Sequence, residues 1–215
     1  TLSIEMPIHQ AKSHVNRANE QIEQLKKRYQ NVWNERADLT PVFESFKLQV
    51  PNSENETTLQ LSLANTRARL RMTTLYYFAG IHGLLVAGTG NKIEDFGVGF
   101  YTKYGDGGVD LSPIADLLKS EVRQLAAFLK VSDSILEAKP TDGLFGDDRS
   151  DEDQIGASYE ELEWAMKQNE LGSGITDFSS REATVFQIYK KLNTNNQHKM
   201  LPIPVCIIPE KLKEN

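Results

Sequence analysis

The first half of the chain alternates short apolar runs with longer amphipathic stretches. Residues 2–6 alternate apolar with polar side chains and end at Pro7, which is typical of a strand that runs into a loop. Residues 10–36 are polar and charged, with a thin apolar stripe at helical spacing. A short helix is predicted over residues 41–50, and the Pro-Asn-Ser sequence at 51–53 ends it.

A long helix is predicted over residues 56–81, capped near Asn55 and ended by Gly83. Its apolar residues cover more than one face, so we expect it to be buried on two sides. The apolar run at residues 84–87 leads directly into Gly88. Such a run predicts a short, buried, central strand of a parallel sheet.

The second half of the chain is predicted to be mainly helical. Pro113 opens an amphipathic helix, and helices are expected over residues 159–167 and 177–192. Residues 140–153 are acidic and contain glycine, which predicts a mobile loop. Because strand signals alternate with helices, the fold class is α/β, a doubly wound parallel sheet with helices on both faces. We expect residues 1–215 to form a single domain.

Composition narrows the possible partners. The chain has 24 Lys and Arg against 30 Asp and Glu, a formal charge of −6, which argues against a nucleic-acid-binding protein. No apolar stretch approaches the roughly 18–20 residues that span a bilayer. The single cysteine, Cys206, excludes an internal disulfide and fits a cytoplasmic protein. Because it lies in an apolar segment, we expect a packed thiol.

Two neighbouring loops concentrate residues suited to binding phosphate and metal. Thr89 and Glu94 follow Gly88 just past the predicted strand, where open α/β sheets bind ligands. The TKYGDGGVD segment at residues 102–110 adds lysine, aspartates and further glycines. The alternative is a glycine-rich surface hairpin whose charges are solvated.

Basic residues on helices are candidate phosphate ligands, with solvated surface residues as the alternative. Arg67, Arg69 and Arg71 spread over an arc of the long helix, and Arg69 is expected to point inward beside apolar neighbours. Lys119 lies early in the helix that Pro113 opens, where helix N–H groups would add to its attraction for phosphate. His198 lies in a predicted irregular tail, and its spacing indicates nothing.

Several common motifs are absent from the sequence. Gly88-x-Gly90 lacks the third glycine of a dinucleotide-binding fingerprint, and no Walker-type phosphate loop occurs. His9 and His14 have no further cysteine or histidine pair nearby, so a zinc site is not expected.

The motifs together resemble the ammonia-dependent NAD synthetases, members of the N-type ATP pyrophosphatase (adenine nucleotide alpha hydrolase) group. The resemblance rests on NTRARLRM at residues 65–72, the glycine loop at 88–94, and TKYGDGGVD at 102–110. It extends through KPT at 139–141, SDE at 150–152 with Gly156 and Tyr159, and the His198-Lys199 pair. It implies ATP-dependent amidation of deamido-NAD to NAD with ammonia. An adenylated nicotinate carboxylate would be the intermediate, with AMP and pyrophosphate released.

The resemblance also implies roles for individual residues. It assigns Glu94 to Mg²⁺, Thr89, Lys119 and Thr141 to the co-substrate ATP, and a third set to deamido-NAD: Arg69, Lys103, Asp110, His198 and Lys199. It assigns no catalytic side chain, because the substrate's own carboxylate attacks ATP. It further implies a homodimer, with the helix over residues 56–81 at or near the subunit contact.

One departure from the family pattern concerns the ATP loop of the form SGGxDS, which does not occur in these 215 residues. We therefore expect an N-terminally incomplete domain that lacks the first strand, ATP loop and helix, and that is not fully active. Two other functions stay open: another enzyme of the pyrophosphatase group, such as argininosuccinate or GMP synthetase, and a nucleotide-binding module without catalysis.

Overall fold

The computed structural model describes residues 1–141 and 150–213. Its elements follow the chain as β1 (Leu2–Glu5), α1 (Lys12–Arg28), β2 (Trp33–Arg36), α2 (Thr40–Gln49), α3 (Glu56–His82), a π-helix (Ile93–Val98), α4 (Lys119–Phe128), α5 (Asp133–Leu136), α6 (Asp151–Ile155), α7 (Tyr159–Glu170) and α8 (Ser180–Met200), with 3-10 helices at Ile175–Asp177 and Glu210–Leu212. The chain is thus an α/β protein in which helices predominate.

β1, α1 and β2 form a parallel β-α-β unit. The two strands pair in register from Leu2 opposite Trp33 to Glu5 opposite Arg36. The prediction of one helical stretch over residues 10–36 is wrong at its C-terminal end, because the last four residues form β2. The backbone groups of β2 pair with β1, which is distant in sequence, and the sequence pattern of β2 itself does not reveal this partner.

The apolar run at residues 84–87 does not form a regular strand. Ala87 makes a single parallel bridge to Leu111, and Asp110 donates its N–H to the Val86 carbonyl over 2.9 Å. Val86 is buried, but Leu85 is 69% exposed. The predicted buried central strand is therefore absent from the described residues. There, the run at residues 84–87 forms a β-bridge with Leu111 alone.

α3 matches the predicted helix closely. The Asn55 side chain accepts a hydrogen bond from the Thr58 N–H, and Gly83 ends the helix in the left-handed conformation. The buried positions of α3 are alanines (Ala64, Ala68 and Ala79). The short side chain of Ala68 lets the loop that contains Gly105 lie close to α3. A Cβ added to Gly105 would lie only 2.8 Å from the Cβ of Ala68.

Within the described part of the chain, the larger of two apolar cores lies between α7, α8 and the π-helix. Its most buried members include Ile93, Leu162 and Tyr189, and the smaller core is formed by Ile8, Leu39 and Phe43. α8 continues to Met200, so the prediction that His198 lies in an irregular tail is wrong. The last turns of α8 are held by hydrogen bonds to the π-helix.

Asparagine side chains on α8 fasten its C-terminal half to the π-helix. Asn193 and Asn196 each donate to a backbone carbonyl of the π-helix, of Gly97 and Val98 respectively, over 2.8 Å. Because these bonds join residues almost a hundred positions apart, local sequence does not reveal them.

Three further predictions differ from the structure. α4 begins at Lys119, and the residues after Pro113 form turns. Part of the predicted mobile loop over residues 140–153 is helix α6, while residues 142–149 lie outside the described residues. Cys206 is exposed, because the extended segment around it packs against no described core.

Among the described residues, no helix is long and apolar enough to cross a membrane.

Gly99, which follows the π-helix, should be intolerant of a side chain. Its φ is +64°, and an added Cβ would lie 2.5 Å from the Cβ of Asn196. We expect Gly99→Ala to lower the free energy of unfolding by about 3–4 kcal/mol, from left-handed backbone strain plus a clash. Gly172 also has positive φ but open space around it, so Gly172→Ala should cost only about 1–2 kcal/mol. Equal losses in urea denaturation would contradict the proposed clash.

Candidate functional site

A charged pair joins the glycine loop to α4. The Lys119 Nζ lies 2.7 Å from Oε1 of Glu94, and both side chains are largely buried. Glu94 is held at the start of the π-helix because the Asn91 side chain accepts hydrogen bonds from the N–H groups of Ile93 and Glu94. The structure thus brings together Glu94, which the resemblance assigns to Mg²⁺, and Lys119, one of the three residues that it assigns to ATP.

Tyr159 contacts both members of this pair. Its hydroxyl lies 2.7 Å from Glu94 Oε1 and 3.1 Å from Asp151 Oδ2, and its ring lies 4.6 Å from the Lys119 Nζ. Burial and the two carboxylates raise the pKa of Tyr159, so its hydroxyl stays protonated and donates. In the sequence, Tyr159 stands out only as part of a family motif, because no local pattern links it to Glu94.

Asp95 is a second acidic group that the sequence analysis missed. Burial, followed by the charges of Glu94 and Asp106, raises the pKa of Asp95 to about 6. A Cβ on Gly90 would lie 2.1 Å from an Asp95 carboxylate oxygen, so this glycine makes room for the carboxylate. The glycine loop is therefore packed against an acidic side chain.

The N-terminus of α4 is already capped by carboxylates. Glu163 of α7 accepts the Ser120 N–H over 2.9 Å and the Ser120 hydroxyl over 2.8 Å. Glu121 accepts the Leu118 N–H over 2.8 Å. Because these N–H groups are occupied, the Lys119 side chain is the main feature of this helix start that favours an anion.

A cleft of about 450 Å³ opens beside Lys119 between α1, α4 and the segment after α5. Arg28 at the end of α1 donates to the carbonyls of Leu129 and Lys130, which fixes α1 beside α4. Thr141 lies in the wall of the cleft, and the basic residues that line it are His14, Arg17, Lys119, Arg123 and Lys139. In a chain with a formal charge of −6, this concentration of cations favours a phosphorylated ligand.

Residues assigned to deamido-NAD gather around the turn after the π-helix. The Lys103 Nζ donates to the His198 carbonyl, and Arg69 Nε donates to the Lys103 carbonyl over 3.3 Å. The Lys199 Nζ donates to the carbonyls of Gly99 and Tyr101, each over 2.8 Å, and burial lowers its pKa. Arg69, Lys103, His198 and Lys199 are therefore neighbours.

Asp110 and Thr89 take no part in the described hydrogen bonds that join this group. Asp110 accepts hydrogen bonds from the Tyr76 hydroxyl over 3.0 Å and the Val86 N–H over 2.8 Å, which ties its loop to α3. Thr89 is exposed in the glycine loop, between the two flanking glycines. Asp110 thus has a structural role in addition to any contact with a ligand.

The prediction that Arg69 points inward from the long helix is wrong. Arg69 is exposed, whereas Arg71 donates to the Met6 carbonyl and to the Gln10 side chain. Burial lowers the pKa of Arg71. Arg71 points inward because it lies three residues after the buried Ala68 and therefore on the same face of the helix.

The fit of a divalent cation depends on Glu94. Both described side-chain bonds of this carboxylate end on Oε1, which leaves Oε2 to a ligand. Among the described residues, no group of three or more His, Cys, Asp and Glu could hold a metal. One carboxylate oxygen fits Mg²⁺, which commonly takes one or two carboxylates and completes its shell with water and substrate phosphates.

Comparison with known proteins identifies a family and several relatives of this chain. The family model for NAD synthase matches residues 1–202. An NH(3)-dependent NAD(+) synthetase of Methanococcoides burtonii is 41% identical over 137 residues, 64% of this chain and 51% of the relative. The corresponding enzyme of Picrophilus torridus is 46% identical over 136 residues, 63% of this chain and 51% of the relative. The chain thus spans about half the length of these relatives.

Solved structures agree with this relationship. An NMN synthetase from Francisella tularensis superposes with a TM-score of 0.77 at 27% identity, over 97% of this chain and 78% of that one. An NH3-dependent NAD synthetase from Campylobacter jejuni has the same fold, with a TM-score of 0.72 at 23% identity, over 96% of this chain and 78% of that one. Since the family model covers nearly the whole chain, this protein belongs to the NAD synthase family.

Proposed function

We propose that this chain belongs to an ammonia-dependent ligase that amidates deamido-NAD to NAD at the expense of ATP. The observation that carries the proposal is the largely buried Glu94–Lys119 pair beside a cleft lined by basic residues. The same two positions are those that the family resemblance assigns to Mg²⁺ and ATP. A surface hairpin with solvated charges would not bury this pair.

The reaction needs anions brought together and a leaving group neutralised. The nicotinate carboxylate oxygen attacks the α-phosphorus of ATP, the bond to pyrophosphate breaks, and ammonia then displaces AMP from the acyl adenylate. Lys119, Thr89 and Thr141 would hold the phosphates, and positioning would supply much of the rate. Glu94 would hold Mg²⁺, which when bound neutralises charge on the phosphates. No side-chain nucleophile is required.

The deamido-NAD side would be built from Arg69, Lys103, Asp110, His198 and Lys199. Exposed Arg69 offers a planar fork for phosphate or carboxylate. Lys199, bonded to the carbonyls of Gly99 and Tyr101, would act by holding the turn from which Lys103 extends. The dinucleotide would therefore meet a surface whose shape depends on α8.

We infer a doubly wound parallel sheet with helices on both faces, a single domain and a cytoplasmic location for this protein. In that arrangement β1, β2 and residues 84–87 would lie in one parallel sheet. The partial exposure of Leu84 and Leu85 supports this inference, because a neighbouring strand or helix would cover both side chains.

The deciding experiment follows NAD formation by the complete protein that carries this sequence. The protein receives ATP, Mg²⁺, ammonia and deamido-NAD, and NAD, AMP and pyrophosphate are expected in equal amounts. Parallel reactions offer xanthosine monophosphate, citrulline with aspartate, or nicotinate mononucleotide. The last tests the product named for the Francisella relative. ATP binding without any product would favour the non-catalytic binding module.

A homodimer is expected, with α3 at or near the contact. Apolar side chains stay exposed along this helix: Leu61, Tyr76, Tyr77 and Ile81. Replacing Tyr77 and Ile81 with lysine should turn the dimer into a monomer in light scattering at micromolar concentration, because the charges would be buried unpaired. Lysines at the exposed Phe128 and Leu129 of α4 are the control and should leave the dimer intact. A wild-type monomer would contradict the expectation.

A further inference from the structure

Tyr159 connects three separate segments of the chain at the candidate site. Its hydroxyl reaches Glu94 of the π-helix and Asp151 of α6, and its ring faces Lys119 of α4. The residue is 1% exposed. A buried tyrosine needs only one partner for its hydroxyl, whereas this one contacts both members of the charged pair as well as Asp151.

The backbone of Tyr159 is held in place. It is the first residue of α7, and the preceding Ser158 caps the helix by accepting the Glu161 N–H. The Tyr159 N–H donates to Glu152 Oε1 over 2.9 Å. Because the helix start is held by capping and by this carboxylate, the hydroxyl has a defined position relative to Glu94.

A phenol carries a single hydrogen, so it can donate to only one of the two carboxylates at a time. The contact to Glu94 is the shorter one, and it ends on Oε1, the same oxygen that Lys119 contacts. With Oε1 held by both donors, the carboxylate is oriented and Oε2 is left for another ligand. This is a preorganised arrangement rather than a flexible glutamate.

We propose that Tyr159 is a positioning residue that orients Glu94 and keeps Lys119 paired with it, so that one carboxylate oxygen is presented to a divalent cation. This inference rests on the proposed function, because the cation is assigned through it. Tyr159 touches no substrate atom in this role and acts only through Glu94 and Lys119.

The test compares Tyr159→Phe with Tyr189→Phe, which makes the same change in the same core. Tyr159→Phe should raise the Mg²⁺ concentration that half-saturates ATP binding by about tenfold, the loss expected for a hydrogen bond to a charged group. It should also speed amine labelling of Lys119, read by mass spectrometry, several-fold. Tyr189→Phe should change neither value.

Labelling of Lys119 does not require catalysis, so the two proposals can fail separately. Faster labelling in Tyr159→Phe without NAD formation by the wild type would overturn the ligase and keep the positioning role. Wild-type NAD formation with unchanged Mg²⁺ dependence and unchanged labelling in Tyr159→Phe would overturn the positioning role alone. Loss of cooperative melting in Tyr159→Phe but not in Tyr189→Phe would also overturn it, and would assign Tyr159 to the core.

Discussion

Replacing Glu94 with glutamine is expected to lower kcat by two to three decades. The substitution keeps the size of the side chain and removes the charge that would hold Mg²⁺ against the leaving pyrophosphate. Losing such an electrostatic stabiliser costs on the order of 3–4 kcal/mol of transition-state stabilisation. Affinity for deamido-NAD should change little, because Arg69 and Lys103 are untouched. The measurement is NAD formation across a Mg²⁺ titration of the complete protein.

Glu121→Gln is the matched control for this variant. Glu121 is a carboxylate of the first turn of α4 that accepts the Leu118 N–H, so it lies near Lys119 without contacting it. Its loss should cost about 1 kcal/mol of stability and little activity. If Glu94→Gln kept the wild-type kcat at every Mg²⁺ concentration, Glu94 would be only a local ion-pair partner and the metal assignment would be wrong.

Replacing Lys119 with methionine is expected to lower kcat/KM for ATP by about two to three decades. The variant removes the cation nearest the proposed metal ligand and leaves the Glu94 carboxylate with Tyr159 as its described donor. Methionine keeps much of the length of the side chain, so packing on the Tyr159 ring should survive. Steady-state kinetics with varied ATP would measure the loss.

Lys92→Met provides the same change of charge outside the proposed site. Lys92 lies in the glycine loop, two residues before Glu94. It pairs at 3.6 Å with the fully exposed Asp116, and such a surface ion pair contributes little to stability. It should keep near-wild-type kinetics. A comparable loss in both variants would mean that general charge, and not the position of Lys119, explains the effect.

The double variant Glu94→Gln with Lys119→Met tests whether the two residues act as one unit. Because their side chains are 2.7 Å apart, the combined loss should be much smaller than the sum of the separate losses. A fully additive loss would show that each residue acts alone.

Local signals in the sequence predicted the parts of the fold that depend on neighbouring residues. α3 was located from a capping asparagine and a terminal glycine, and both act within one turn of the helix ends. Helices were also predicted over residues 41–50 and 159–167, where the structure has α2 and α7. The motifs around Arg69, Glu94 and Lys103 likewise indicated the family, because they are contiguous stretches of sequence.

Predictions failed where the deciding contact is distant in sequence. β2 is exposed throughout and polar in three of its four positions, and only its pairing with β1 makes it a strand. His198 is helical because α8 is fastened to the π-helix almost a hundred residues away. In each case the stabilising bond joins segments whose proximity exists only in the folded chain.

The sequence by itself therefore determined the family, the α/β class, the longest helix and the identity of the charged candidate residues. Only the tertiary structure decided that Glu94, Lys119 and Tyr159 meet, that Arg71 is half-buried while Arg69 is exposed, and that Lys199 bonds to backbone carbonyls. The physical reason is that capping and periodicity act over a few residues. The pairing of Glu94 with Tyr159, in contrast, spans 65 positions and requires the core of α7, α8 and the π-helix to form.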